Sequence, residues 1–172
     1  MRKLLSDLTR KIRALYDRFV DCAWEDWGWF TFTTSTASLK ELWEQNRDLF
    51  LPHQDFWWKD AEFAVRSGIP RRIRLRVSAV RVQVYFNKTL DEQWKLLKRG
   101  EFVLTARDLV EGKIAYYRAY GERLLPDCGF RTIDIASDGN RAIVGFRSVP
   151  GGGHYWDDER GPNLGLAVAR TA

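Results

Sequence analysis

Hydrophobic side chains recur along this chain with two different periods, and the switches between them mark out its elements. Over residues 3–20, Leu4, Leu5, Leu8, Ile12, Leu15, Tyr16 and Phe19 return at steps of three and four, which places them on one face of a helix. Arg2, Lys3, Arg10, Lys11, Arg13 and Arg18 fill much of the remainder, so this helix is basic as well as amphipathic. Residues 28–34 (Gly-Trp-Phe-Thr-Phe-Thr-Thr) are aromatic and β-branched and read as a short strand. Ser38 followed by Glu41 is a capping-box signature that opens a helix over 39–50, ended by Pro52. Asp55 caps another helix over 56–67, closed by Gly68 with Pro70 beyond.

The clearest period-two run is 71–87. Ile73, Leu75 and Val77 alternate at odd positions, and Val80, Val82, Val84 and Phe86 at even ones. Side chains of a strand alternate faces, so the change of phase at Ser78–Ala79 calls for a β-bulge there. With that bulge, Arg72, Arg74, Arg76 and Arg81 share the polar face, followed by Gln83 and Tyr85.

Thr89 with Glu92 opens a helix over 90–99 that Gly100 stops, and Thr105 with Asp108 opens another over 106–120. The buried stripe of the latter is Leu109, Val110, Ile114 and Tyr117, with Gly112 as its weak point. Residues 130–136 and 141–148 alternate on either side of Asp138-Gly139-Asn140, a hairpin signal. Residues 149–163 read as a Gly-, Pro- and Asp-rich loop, and 164–170 as a last strand. Helices, one long strand, helices and a hairpin make an α+β fold, an antiparallel or mixed sheet with helices packed on one face.

Length and composition narrow the class. The 172 residues are 45% hydrophobic, enough to bury a core, and fit a single domain 1–172. It comprises the N-terminal helix 3–20, a helical subregion 38–67 and a sheet-forming region 71–172. No apolar run is long enough for a membrane span, and Asp7, Arg10, Lys11 and Arg13 interrupt any secretory signal. Cys22 and Cys128 lack zinc-ligand spacing and cannot build a disulfide framework, so they read as reduced thiols and the chain as cytoplasmic.

The formal charge of +5 is segmented. Residues 1–20 carry +4, 21–65 carry −6, 66–131 carry +8 and 132–172 carry −1. A basic middle points to an anionic partner, unless the acidic segment pairs with it inside the fold. Six of the eight tryptophans, Trp24 to Trp58, sit in the acidic stretch, apart from the Arg stripe.

Three functional readings follow. The first is a small basic accessory or inhibitor protein that binds nucleic acid. Arg72, Arg74, Arg76 and Arg81 would grip phosphates, and Tyr85 would supply a ring for stacking. Trp94, Tyr116 and Tyr120 lie in the same basic half. The second is a metal-dependent nuclease or phosphoester hydrolase built on the 151–161 loop. There His154 serves as general base and Asp157 and Asp158 hold Mg2+, the one cofactor any reading invokes. The third is a protein–protein module that docks through Trp57 and Trp58, since adjacent tryptophans on a helix point about 100° apart and one stays exposed. The N-terminal helix with Trp24, Trp27 and Trp29 has the form of an interfacial membrane helix, against which Asp7, Asp17, Asp21, Glu25 and Asp26 argue. Oligomeric state leaves no mark in the sequence.

Overall fold

Alternating aromatic and threonine side chains make the first strand, β1 (Trp29–Thr33), which buries Phe32 and exposes Thr31 and Thr33. A computed structural model of the chain describes residues 28–50, 61–78, 82–126, 128–136, 139–146, 149–155 and 157–172, with backbone alone at 146 and 149–155. The expected helix 3–20, the start of the helix 56–67, and Trp57, Trp58 and Arg81 lie outside the described residues.

Helix α1 (Leu39–Gln45) begins with the expected box: Glu41 N–H donates to Ser38 Oγ at 3.2 Å and Ser38 N–H donates to Glu41 Oε2 at 2.7 Å. It ends sooner than expected, at Asn46, and passes into a single 3-10 turn, Arg47–Leu49. Helix α2 (Glu62–Val65) is one turn long. Strand β2 is Arg72–Arg76, and helix α3 (Leu90–Trp94) carries the second box, Thr89 with Glu92. Strand β3 (Glu101–Val103) leads into α4 (Ala106–Tyr120), where Thr105 Oγ1 accepts from Asp108 N–H at 3.0 Å and Gly121 closes the last turn at φ 70°. Strands β4 (Gly129–Ile135), β5 (Arg141–Phe146), β6 (Val149–Tyr155), β7 (Leu164–Leu166) and β8 (Val168–Thr171) complete the order.

The strands form two sheets. One has the order β1-β2-β8-β3 and is antiparallel throughout; the other has the order β6-β5-β4-β7, with β4 and β7 parallel. The C-terminal run belongs to both, bending at Ala167. Ala167 N–H donates to Arg131 O at 3.0 Å, Leu104 N–H donates to Ala167 O at 2.8 Å, and Ile133 N–H donates to Leu104 O at 2.9 Å, so backbone bonds pass from one sheet to the other. The fold is α+β with helices packed on sheet, as expected. Phe32, Ile73, Leu75, Leu109, Val110 and Ile114 meet in the main core. Gly112 does not weaken α4: a β-carbon there would lie 2.8 Å from the Phe32 ring, so its absence lets helix and sheet approach.

Three sequence expectations are corrected. The strand expected over 71–87 stops at Arg76, and the bulge expected at Ser78–Ala79 falls partly outside the described residues. Residues 82–87 form a helical turn, in which Val82 and Tyr85, three apart, are buried while Val84 is 49% exposed. The alternating valines fit a strand equally well by propensity, but tertiary contacts decide such runs. Here the turn returns the Tyr85 hydroxyl to within 3.2 Å of Arg76. The expected 149–163 loop begins as strand β6, because the backbone of Val149–Tyr155 pairs with the free edge of β5 and needs no favourable side chain to do so. The last strand is two, split at Ala167 between the sheets.

Register slips do occur, in β4 between Arg131 and Ile135 and in β5 at Gly145. Gly145 sits at φ 91°, and a β-carbon there would lie 2.3 Å from Lys113 Nζ. The bulge thus makes room for the Lys113 amine, which stands 5.3 Å from the centre of the Phe130 ring. Burial lowers this amine to about 8, opposed by the neighbouring Cys128. In the unfolded chain it returns to 10.5, so between pH 8 and 10.5 the unfolded state holds the extra proton. Stability due to Lys113 therefore rises with pH across that window, by about 1 kcal/mol per unit. Urea melts of wild type and Lys113→Met from pH 7 to 10 check this: the variant is the more stable at pH 7, and the gap closes toward pH 10.

Candidate functional site

Strand β2 carries Arg72, Arg74 and Arg76 on the face opposite Ile73 and Leu75, as its alternation requires. Exposure falls steeply along it: Arg72 is exposed, Arg74 half-buried and Arg76 buried. Arg76 donates to Glu101 and, at 3.2 Å, to Tyr85 Oη. Arg170 donates to the same Glu101 Oε1 at 3.0 Å, and Lys98 N–H to Oε2 at 2.9 Å. The Glu101 side chain has no exposed surface. Arg76 and Tyr85 are therefore interior members of a charge network and do not line a surface with Arg72. Burial raises the Tyr85 hydroxyl above its ordinary value, opposed by the charge of Arg76.

The register supplies what the sequence stripe did not. Arg74 lies directly opposite Arg170 on β8 and Thr31 on β1, and Arg72 lies opposite Thr33. Three guanidinium side chains and two exposed threonines thus share the outward face of the first sheet. Adjacent strands are about 4.8 Å apart and alternate residues about 6.6 Å. Trp29, opposite Arg76, has guanidinium carbons over its ring at 5.0 Å (Arg76) and 4.8 Å (Arg170). Sequence reasoning missed Arg170 and missed Trp29 as part of this face. The signal for Arg170, its alternation with Val168, becomes readable only once β8 is known to lie beside β2.

The other aromatic candidates lie elsewhere. Tyr116 and Tyr120, with ring centres 4.7 Å apart, cluster with Phe30 on the side of the sheet that faces α4. Trp94 follows on α3, which covers one end of the outward face through Leu90, Val103 and Val168.

The 151–161 segment is tied down. His154 lies on β6 opposite Ala142. Asp157 stands 3.4 Å from Arg141 Nε, and its carbonyl accepts from Leu90 N–H at 2.7 Å. Glu159 O accepts from Arg131 at 2.5 Å, and Arg160 pairs with Glu92 at 2.7 Å. Asp158 is exposed. The carboxylate of Asp157 thus faces an arginine. Among the described residues no group of three His, Cys, Asp or Glu side chains is placed to hold a metal ion. None of their helices is long and apolar enough to cross a membrane.

A cavity of about 270 Å³ opens beside the start of β2, between α2 and the first turn of α4. Phe63 and Ile69 give it apolar walls, and Arg66, Arg71, Asp108 and Asp134 give it charge. Asp108 is saturated, by Arg71 at 2.5 Å and Arg107 at 2.6 Å. Asp134 uses Oδ2 to accept from Ala106 N–H at 2.6 Å. Burial raises its carboxyl above the ordinary value, opposed by that hydrogen bond and by Arg66.

No protein-family model, no curated protein and no solved structure matches the chain.

Removing one partner of a buried ion network leaves an uncompensated charge, at a cost of about 3–5 kcal/mol. Glu101→Ala, which strands both Arg76 and Arg170, is expected to lose that much in equilibrium urea unfolding.

Proposed function

We propose that this protein is a small basic accessory protein that binds nucleic acid, through the outward face of its first sheet. The carrying observation is the cross-strand pair Arg74–Arg170, flanked by Arg72 and by the exposed hydroxyls of Thr31 and Thr33. Arg76 and Arg170 share the Glu101 carboxylate, and Arg74 and Arg72 continue the same face along β2. A surface of guanidinium and hydroxyl donors of this kind suits phosphate oxygens, which take most of the hydrogen bonds in such complexes. Trp29 stiffens the face, since stacking holds Arg170 flat against the sheet. Contacts of this kind follow the backbone without reading sequence, consistent with an accessory or inhibitory role. A cytoplasmic location goes with this reading.

Salt dependence provides the test. Each phosphate neutralised on a single strand contributes about −0.7 to the slope of log K against log salt. Binding of a fluorescein-labelled single-stranded oligonucleotide is expected to weaken steeply between 50 and 200 mM NaCl. Arg72→Ala/Arg74→Ala should make the slope shallower by about 1.4 while leaving the melting temperature in place. A salt-independent affinity, or an unchanged slope in the double variant, would rule out this face.

A further inference from the structure

We infer that the cavity beside Arg71 takes one unpaired nucleobase bearing an amino group, delivered from a strand lying on the arginine face. This rests on the nucleic-acid reading above and extends it from the backbone to a base.

Arg71 and Arg72 are consecutive at the start of β2, and consecutive residues of an extended chain point to opposite sides. Arg72 stands on the outward sheet face opposite Thr33, whereas Arg71 lines the cavity and donates to Asp108 at 2.5 Å. The arginine face and the cavity therefore meet at one edge of the sheet. A polyanion that follows Arg170, Arg74 and Arg72 arrives at the cavity mouth, where Arg71 and Arg66 are 45% and 65% exposed at the side chain.

The interior then selects the occupant. Phe63 and Ile69 offer apolar surface to a flat ring. At about 270 Å³ the cavity lies just below the usual range for small-molecule pockets, room for one base and not for a pair. Asp134 is half-buried and lines the cavity; one of its oxygens accepts from Ala106 N–H, and burial raises its carboxyl above the ordinary value, so the remaining oxygen is the acceptor that a ligand donor would meet. The exocyclic amino groups of cytosine, adenine and guanine supply one; uracil presents carbonyl oxygens on either side of its single N–H. An isolated cation is disfavoured by Arg66, Arg71 and Arg107 around the same space. The matching ligand joins an N–H donor, a planar apolar body and a phosphate, which are the parts of a nucleotide.

The test uses the full chain and calorimetric titration with CMP, AMP, GMP, UMP, ribose 5-phosphate and leucine. At least one amino-bearing nucleotide is expected to bind ten-fold or more tightly than UMP and ribose 5-phosphate. Asp134→Asn is the informative variant, because its amide oxygen still accepts from Ala106 N–H while its NH2 group faces the cavity. It should lose at least ten-fold for the amino-bearing nucleotide and shift preference toward UMP, an exchange that loss of folding cannot produce. Arg66→Ala, at an exposed site, should weaken nucleotides and spare the corresponding nucleosides. The inference is overturned if ribose 5-phosphate binds as well as every nucleotide, if leucine binds best, or if Asp134→Asn leaves the preference unmoved. Oligonucleotide binding that still depends on Arg72 and Arg74 alongside a cavity that takes no nucleotide would remove this inference and keep the sheet face. Loss of that dependence would remove the reading beneath it.

Discussion

Glu101 holds the first sheet together. Its carboxylate is wholly buried and receives Arg76 from β2, Arg170 from β8 and the Lys98 backbone from the turn before its own strand. Trp29, on β1, lies under both guanidinium groups, and Tyr85 reaches Arg76 from the turn that follows β2. Four strands thus depend on one negative charge. Burying it is costly, and the cost is offset only while every oxygen has its donor and both cations stay close. The same arrangement sets the character of the outward face: at its Trp29 end the charge is internal and shielded by α3, and at its Arg72 end it is open to solvent.

A second buried arginine performs a comparable task in the other sheet. Arg131, with no exposed surface, donates to Lys88 O, Gln93 Oε1 and Glu159 O. Gln93 in turn donates to Tyr85 O and Leu164 O. The segment after β6, α3 and β7 are thereby fixed to β4. This explains why the most enzyme-like stretch of the sequence is structural in its backbone: Asp157 and Glu159 use their carbonyl oxygens to receive Leu90 and Arg131. Buried polar groups need partners, and here the loop supplies them.

Local signals were legible wherever a few neighbouring residues decide the outcome. Ser38–Glu41, Thr89–Glu92 and Thr105 start helices because a side chain two or three residues away satisfies a free backbone N–H, whatever the rest of the chain does. The strand read at 28–34, found at Trp29–Thr33, and the 106–120 helix were legible from their local side-chain patterns. The long strand 71–87 was not, since Val80 to Phe86 suit a strand by type and spacing, whereas residues 82–87 form a turn that buries Val82 and Tyr85. Of the candidate site, Arg72 and Arg74 were readable. Arg170, Thr31 and Thr33 were not, because register is a relation between strands that lie far apart in the chain.

The sequence by itself determined the α+β class, the helix starts at Ser38, Thr89 and Thr105, the hairpin and the basic bias of the middle segment, all of which follow from side-chain period, capping chemistry and charge count. The tertiary structure alone decided which charges are surface and which are interior. Arg72 and Arg76 differ by four positions on one strand face and are indistinguishable by type. One meets water and the other meets Glu101 and Tyr85, because α3 and the 82–87 turn pack over the Trp29 end of the sheet, and Arg72 lies at the opposite end of β2.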